Sequence, residues 1–210
     1  MQKIVLATKN QGKIAEIGAL LQSLHPGLEV LGLADFQDIG DLKETGQRFE
    51  ENARQKAEQV AGINGLVALA ADSRLCVDAL QGAPGVYSAR YSGTGATDKS
   101  NNLKLLREMD QVSESRRRAR FVCVLVACSP EAIVVEARGE WQGFVARDLK
   151  GESGFGYDPL FIDEQTGHRA AELKAEEKNR CSHRAKALQT LIALWPDFWE
   201  RVKAARKFKK

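Results

Sequence analysis

The feature that most constrains the fold is an apolar run, Leu66–Ala71, that is followed at once by Asp72 and Ser73. A continuous run of this kind, without alternation, is typical of a strand buried on both faces of a sheet. Such a strand holds the groups at its end rigidly, so a carboxylate and a hydroxyl there are well placed to face a cleft. A simple turn, with Asp72 as a turn residue, is an equally good interpretation of the residue types alone.

Other segments repeat two patterns, the apolar run and the amphipathic helix. Helical spacing of apolar residues follows the loop at Thr8–Lys13, and Pro196 predicts a break in the last helix, with a short terminal helix from Asp197. The short turn at Ser129-Pro130 implies that the strands on either side of it run antiparallel. Apolar runs predict further strands over residues 3–7, 28–33, 121–127 and 133–141.

Composition is that of one globular domain spanning residues 1–210. Hydrophobic residues make up 43% and charged residues 28% of the 210 residues, and the net charge of +3 is too small to imply a nucleic-acid partner. We see no secretory signal and no apolar window of membrane-spanning length, so we expect a cytoplasmic protein with no membrane partner. The four cysteines form no CxxC pair, which argues against a zinc site and a disulfide framework.

Two basic stretches raise the alternative of an RNA-binding module. They are Arg116–Arg120 and the last ten residues, which hold six Lys or Arg and no acid. Aromatic residues do not interleave with the first stretch, and no RNA-binding motif accompanies either one. An exposed start of a strand and a solvated helix end are therefore the favoured interpretations.

The loop Thr8–Lys13 lies between the first predicted strand and a predicted helix. A loop at a helix N-terminus offers backbone N–H groups and the positive end of the helix dipole, which together suit a phosphate. Lys9 and Lys13 add positive charge, and Thr8 and Asn10 add hydrogen-bonding groups. The GxxxxGK[ST] pattern of a P-loop is absent, so the signal is moderate.

The segment Val77–Tyr91, VDALQGAPGVYSARY, resembles the inosine triphosphate pyrophosphatase family, whose members hydrolyse non-standard purine nucleoside triphosphates. The chain departs from the family pattern at two positions just before this segment. Ala71 stands where the family has Asp, and Arg74 stands where it has Gly. Further segments match in the family's order: TKNQGK from Thr8, ETG from Glu44, FEENA from Phe49, GFGYDP from Gly154, EEKN from Glu176 and SHR from Ser182.

The resemblance implies a role for each matched position. It makes Asp72 the catalytic general base and makes Glu44 and Asp72 the ligands of Mg²⁺, a cation that prefers hard oxygen ligands. Triphosphate-binding residues are implied along the first loop and near the metal: Thr8, Lys9, Asn10, Gln11, Gly12, Lys13, Asn52, Lys56 and Ser73. Base-binding residues are implied in the later segments: Phe155, Gly156, Tyr157, Asp158, Lys178, His183 and Arg184.

The implied reaction is hydrolysis of dITP, ITP or XTP to the monophosphate and pyrophosphate by an Mg²⁺-dependent enzyme. Lys178 and Arg184 are hydrogen-bond donors, so they favour a 6-oxo purine over adenine, whose 6-amino group would leave a buried donor unpaired. The resemblance also implies a homodimer and an α/β fold. We expect a long mixed central sheet flanked by helices, with two lobes around one active-site cleft.

Two alternatives stay open within related classes. Ala71 and Arg74 suit a catalytically impaired nucleotide-binding protein of the same fold, because Ala71 removes an acid and Arg74 would strain the turn if this position needs positive φ. The guanidinium of Arg74 could alternatively reach phosphate or pair with Asp72. A pyrophosphatase that acts on pyrimidine triphosphates is disfavoured, since its Ser-Pro-Arg-Arg type of loop is absent and Thr8–Lys13 stands in that place.

Overall fold

The computed structural model describes residues 2–36, 39–40, 42, 45–46 and 48–207. The strands found in these residues are β1 (Gln2–Leu6), β2 (Leu28–Gly32), β3 (Val67–Val77), β4 (Arg118–Cys128), β5 (Val134–Val145) and β6 (Phe161–Asp163). The helices found there are α1 (Gln11–Leu24), α2 (Phe49–Asn64), α3 (Asp98–Glu108), α4 (Ala175–Cys181) and α5 (His183–Lys207).

The strands within the described residues form one sheet, in the order β2-β1-β3-β4-β5-β6. Strand β1 pairs in parallel with both β2 and β3, whereas β5 and β6 are antiparallel. Strands β4 and β5 are neighbours joined by Ser129–Ile133, and the N–H of Ser129 donates to the carbonyl of Ile133 at 2.9 Å. A connection this short requires antiparallel strands, so the predicted α/β class and mixed sheet are confirmed.

Contacts divide the chain into two compact units. The first consists of Met1–Asp72, Cys123–Gly139 and Arg184–Lys210, and the second consists of Ser73–Val122 and Glu140–His183. Three strands, β3, β4 and β5, contribute residues to both units. The predicted cleft between two lobes stays a prediction.

The core of the first unit follows from strand alternation. Ile4 and Leu6 point into one apolar cluster with α1 and α5, while Val5 and Ala7 point into another with α2. Side chains of a strand alternate between its two faces, so a continuous apolar run is needed when both faces are covered. This explains why Ile4–Ala7 is apolar without interruption.

The core of the second unit is built around aromatic rings. Phe121, Trp141 and Phe161 pack together with ring centroids 4.6 to 6.2 Å apart. The indole N–H of Trp141 donates to Asp163 at 2.8 Å, which satisfies the polar atom of a fully buried ring. The unit therefore has a core of its own.

Two expectations about element boundaries are wrong. Strand β3 does not end at Ala71 but continues through Asp72 to Val77, because Leu75, Cys76 and Val77 are again buried. Helix α5 is not broken at Pro196 but continues to Lys207. Proline removes one helical hydrogen bond, and burial of Trp195, Phe198 and Val202 on the same core face compensates for it.

Burial confirms some predictions and corrects another. Cys76, Cys123 and Cys128 are buried, as predicted for core thiols. Arg117, in the stretch expected to be exposed, is only 2% exposed. None of the helices in the described residues combines the length and the apolar character that crossing a bilayer requires.

Candidate active site

The first candidate feature is the N-terminus of α1. Asn10 caps this helix, since its Oδ1 accepts the N–H of Lys13 at 2.9 Å, and Thr8 Oγ1 accepts the N–H of Asn10 at 3.2 Å. Gln11 and Gly12 open the helix, so their N–H groups have no acceptor one turn earlier within it. The exposed Lys9 precedes them. The predicted loop thus has the geometry of a helix N-terminus with lysines on either side.

Two lysines from different helices meet at one backbone oxygen. Lys13 Nζ, from α1, lies 3.5 Å from the carbonyl oxygen of Ala71, and Lys56 Nζ, from α2, lies 3.3 Å from it. Lys56 is 6% exposed and the neighbouring Asp72 is 4% exposed. The buried Asp72 therefore follows the shared acceptor directly in the chain, and its charge acts on Lys13. Together with Arg184, we call Lys13, Lys56 and Asp72 the Ala71 cluster.

Charges in the Ala71 cluster act on Lys13. Burial, and then the charge of Lys56, lowers the pKa of Lys13 from its ordinary 10.5 to about 8. Asp72 opposes the shift and Arg184 adds to it, so Lys56, Asp72 and Arg184 all lie within electrostatic reach of Lys13. An anion bound here would raise the pKa of Lys13, because nearby negative charge favours the protonated ammonium.

Arg184 is the second residue of α5 and is only 3% exposed. Its Nε forms an ion pair with Glu16 of α1. Glu16 carries no sequence motif, but it lies three residues after Lys13 on α1 and hence on a neighbouring part of the helix surface. The pair fixes the guanidinium of Arg184 within the first unit.

Asn52 and the glycine before α2 are coupled. Asn52 is 4% exposed, and its Oδ1 accepts the N–H of Gly46 at 2.8 Å. A Cβ at Gly46 would lie 2.5 Å from Glu51 Cβ, so only glycine fits. The amide N–H groups of Asn52 are therefore what its side chain can offer a phosphate. Glu44, the predicted metal ligand, lies outside the described residues.

Asp72 is the described residue that suits magnesium. Mg²⁺ in proteins commonly uses one or two carboxylates, with substrate phosphates and water completing its shell. No cluster of three or more His, Cys, Asp or Glu residues that could hold a metal occurs in the described ranges. Among the described residues, Asp72 could supply one such carboxylate.

A second group of predicted residues lies in the second unit. Lys178 Nζ, from α4, pairs with Asp158 Oδ2 at 2.7 Å, and both side chains are almost fully buried. The same carboxylate oxygen accepts the N–H of Phe155 at 2.9 Å, and Lys178 Nζ lies 5.3 Å from the centroid of the Phe155 ring. We call Phe155, Asp158 and Lys178 the Asp158 cluster. It presents an aromatic ring beside a fixed ammonium group.

The loop that holds this cluster depends on its glycines. Gly154 has φ +80°, and a Cβ there would lie 2.2 Å from Asp158 Oδ2. Gly156 has φ +64°, a conformation that favours glycine. Tyr157 is 4% exposed, its hydroxyl donates to the carbonyl of Ser88 at 2.9 Å, and burial raises the pKa of that hydroxyl. Tyr157 therefore anchors the loop.

His183, at the start of α5, is completely buried. Its ring stacks on Phe121 with the centroids 4.7 Å apart and the planes 10° apart, and Trp141 lies beyond at 6.4 Å. The structure thus places this predicted base-binding residue in the aromatic core of the second unit.

The two residues that follow Asp72, Ser73 and Arg74, both belong to β3. Arg74 has strand backbone within β3, so the predicted strain at this position is wrong. Its side chain is 5% exposed and its guanidinium donates to the carbonyl of Val86. Ser73 Oγ is buried and has no hydrogen-bond partner among the described residues, as suits a hydroxyl available to a ligand.

Comparison with known proteins finds curated relatives along most of this chain. A protein named dITP/XTP pyrophosphatase from Nitratidesulfovibrio vulgaris is 54% identical over 93% of this chain and 97% of its own length. One of the same name from Streptococcus pneumoniae serotype 4 is 48% identical, with the same two coverages.

Solved structures agree with the sequence comparison. The Staphylococcus aureus Ham1 protein matches with a TM-score of 0.83 at 38% identity, over 93% of this chain and 99% of that one. A HAM1 protein from Coxiella burnetii also gives 0.83, at 40% identity, over 94% and 100%. The Ham1 family model matches residues 4–194. This chain therefore belongs to the Ham1 family.

Proposed function

We propose that this chain hydrolyses the non-standard purine nucleoside triphosphates dITP, ITP and XTP to the monophosphate and pyrophosphate. Its relatives are named dITP/XTP pyrophosphatase. The observation that carries the proposal is the convergence of Lys13 and Lys56 on the carbonyl of Ala71, directly beside the buried Asp72. This arrangement combines anion binding with a carboxylate in one place.

The Ala71 cluster and the start of α1 suit the triphosphate. Lys13 and Lys56 supply positive charge, and the first N–H groups of α1 supply donors aligned with the helix dipole. Preorganised charges of this kind stabilise negative charge that develops on phosphate oxygens in the transition state. Thr8, Lys9 and Asn52 lie on elements that flank these groups and add donors.

Asp72 is the proposed general base. A carboxylate within hydrogen-bond reach of a water can take its proton as the water attacks the α-phosphorus. Asp72, with Glu44, is also proposed to hold Mg²⁺. When bound, the metal supplies positive charge that neutralises phosphate oxygens and orients them for in-line attack.

The Asp158 cluster suits the base. The Phe155 ring offers a stacking face that any flat base fits, so it provides affinity with little selectivity. Lys178, held by Asp158, offers a fixed donor for a 6-oxo group. We assign Arg184 the same preference because its guanidinium donates only.

Assembly and location complete the proposal. We propose a homodimer, with the segment 82–91 at its interface, where Tyr87 is 57% exposed. A large exposed aromatic ring next to a turn is suited to burial against a second copy. We propose a cytoplasmic location because the substrates belong to the nucleotide pool.

The test is pyrophosphate release from dITP, XTP, dGTP and dATP, with magnesium and with EDTA. We expect metal-dependent turnover of dITP and XTP well above that of dGTP and dATP. Asp72→Asn should lower kcat by about 10²- to 10⁴-fold while dITP binding persists, because it removes the base and keeps the shape. Asp78→Asn, at an exposed aspartate paired with Arg120, is the matched control. An inactive parent chain would overturn the proposal.

Nothing in the described residues favours the alternative of an impaired protein. Arg74 fits strand backbone and makes a buried contact, and Ala71 contributes its carbonyl to both lysines. Both departures from the family pattern are thus accommodated in the structure.

A further inference from the structure

Helix α3 holds one residue of the 154–158 loop, Gly156, through hydrogen bonds to its N–H and to its carbonyl. Asp98 Oδ2 accepts the N–H of Gly156 at 2.7 Å, and Asn102 Nδ2 donates to the carbonyl of Gly156 at 2.8 Å. Asp98 and Asn102 are four residues apart on α3, so they lie on the same face of the helix. Both backbone hydrogen-bonding groups of a single residue are therefore taken by one helix.

The burial of the two side chains differs, and so do their expected contributions. Asn102 is 3% exposed, so replacing it would remove a buried donor from the partly buried Gly156. Asp98 is exposed, but it is charged, and charge-assisted hydrogen bonds are the stronger ones. Gly156 has φ +64° and nothing within 4 Å of its Cβ position, so glycine is needed there for conformation and not for space.

The hydrogen bonds from α3 hold the loop at the residue next to Phe155. The N–H of Phe155 is held by Asp158, and the next N–H along the chain, that of Gly156, is held by Asp98. Asp158 in turn holds Lys178 at 2.7 Å. Asp158 therefore links the Phe155 backbone to the ammonium of Lys178, and α3 holds the same loop at Gly156.

We propose that Asp98 and Asn102 are positioning residues that set base selectivity by anchoring the loop that presents Phe155 and Lys178. This inference rests on the proposed function, in which that loop holds the purine. Stacking tolerates small displacements and accepts every base, whereas a hydrogen bond to the 6-position weakens steeply when donor and acceptor move. Loosening the anchor therefore reduces discrimination more than it reduces stacking.

The test uses Asp98→Ala and Asn102→Ala in the full chain, with Asp98→Asn as the conservative variant and Lys99→Ala as the control. Lys99 is exposed on the same helix between the two anchors. In each alanine variant we expect kcat/KM for dITP to fall about tenfold, mainly through KM, as the loss of one well-placed hydrogen bond implies. The ratio of kcat/KM for dITP to that for dATP should fall as well.

Two further readouts separate positioning from loss of structure. Inhibition by pyrophosphate, which probes the Ala71 cluster, should stay at the parent value in every variant. The affinity for dIMP should fall in the alanine variants and return in Asp98→Asn, whose Oδ1 can still accept from Gly156. Hydrogen exchange of the Gly156 amide should accelerate in parallel.

The outcomes distinguish the two proposals. A parent chain that neither hydrolyses dITP nor binds dIMP overturns the proposed function and this inference together. An active parent whose alanine variants match Lys99→Ala in selectivity and dIMP affinity overturns this inference alone. Equal loss of pyrophosphate and dIMP binding in the variants would assign Asp98 and Asn102 a purely structural role.

Discussion

At the scale of single residues, charge placement distinguishes the Ala71 cluster. Lys13 and Lys56 share one neutral acceptor, the Ala71 carbonyl, and their mutual repulsion adds to burial in lowering the pKa of Lys13 to about 8. Lys13 is thus charged below about pH 8 and increasingly neutral above it. The charge of Lys13 therefore changes within the pH range in which an enzyme can be assayed.

This placement predicts a pH dependence of substrate capture. The value of kcat/KM for dITP should fall above about pH 8, approaching tenfold per pH unit, because kcat/KM reports ionisations of the unliganded enzyme. Lys13→Arg should remove the fall, since arginine stays charged throughout this range. Steady-state kinetics from pH 6.5 to 9.5 would measure both. An identical fall in Lys13→Arg would assign the ionisation to another group.

Arg74 predicts a second residue-scale outcome. Arg74→Gly restores the family residue but removes a buried donor to the Val86 carbonyl and adds backbone freedom within β3. We expect a loss of about 1 to 3 kcal/mol in the free energy of unfolding and no gain in turnover. Arg74→Met, which keeps most of the volume without the donor, is the control. A tenfold rise in kcat for Arg74→Gly would instead revive the impaired-enzyme alternative.

Single residues also mark where sequence reasoning stops. Thr8–Lys13 could be singled out because a strand, a polar loop and a helix place such groups in a known relation. Asp72 could be singled out because it directly follows an apolar run, although β3 continues past it. Arg117 could not, since its burial depends on carbonyls of Met109, Val112, Val145 and Ala146 that come together only in the fold. Desolvation by these surroundings lowers the pKa of its guanidinium. Asp98 and Asn102 were missed for the same reason.

At the scale of elements, α1 combines a stabilising cap with a binding terminus in the same residues. Asn10 caps the helix, and the same N-terminus is the proposed phosphate site. A change of charge at this N-terminus should therefore affect stability and substrate binding in opposite directions. A carboxylate near the N-terminus is stabilised by the helix dipole, but it repels a triphosphate.

Asn10 variants should consequently move stability and affinity in different directions. Asn10→Asp should keep the thermal midpoint or raise it slightly, yet raise KM for dITP about tenfold. Asn10→Ser should keep the cap at similar affinity, whereas Asn10→Ala should cost about 1 kcal/mol of stability. Thermal unfolding and steady-state kinetics on the three proteins would measure this. A stable Asn10→Asp variant with parental KM would place the triphosphate elsewhere.

Elements also explain the two boundary errors. An apolar run predicts that a strand exists, but Asp72 interrupts the run without ending β3, because the strand resumes with buried residues on the other side. Proline predicts a break by local rules, and α5 overrides it through the burial of residues on both sides. In both cases tertiary packing outweighs a local signal.

At the scale of the whole molecule, three strands are shared by two units that have separate apolar clusters. Neither unit can lose β3, β4 or β5 without breaking strands that the other uses. The units should therefore unfold together despite their separate cores. The class of sheet was predictable from the apolar runs, whereas the division of each long strand between units was not, because residue types on either side of Asp72 are alike.

The tryptophans provide local probes for this prediction. Trp141 lies in the core of the second unit, and Trp195 and Trp199 lie in the first. Urea unfolding followed by fluorescence in Trp141→Phe, and separately in the double variant Trp195→Phe, Trp199→Phe, should give coincident transitions after correction for each variant's stability by circular dichroism. Separate transitions in one protein would show that the units unfold independently.

The meeting of two lysines at Ala71 has an evolutionary consequence. Their shared acceptor is a main-chain oxygen, which every amino acid provides. A substitution at position 71 therefore does not remove the carbonyl oxygen that both lysines contact. Because Ala71 is 2% exposed and packs in the core of the first unit, the side chains that fit there are small, and exchange among them leaves both lysines with the same acceptor.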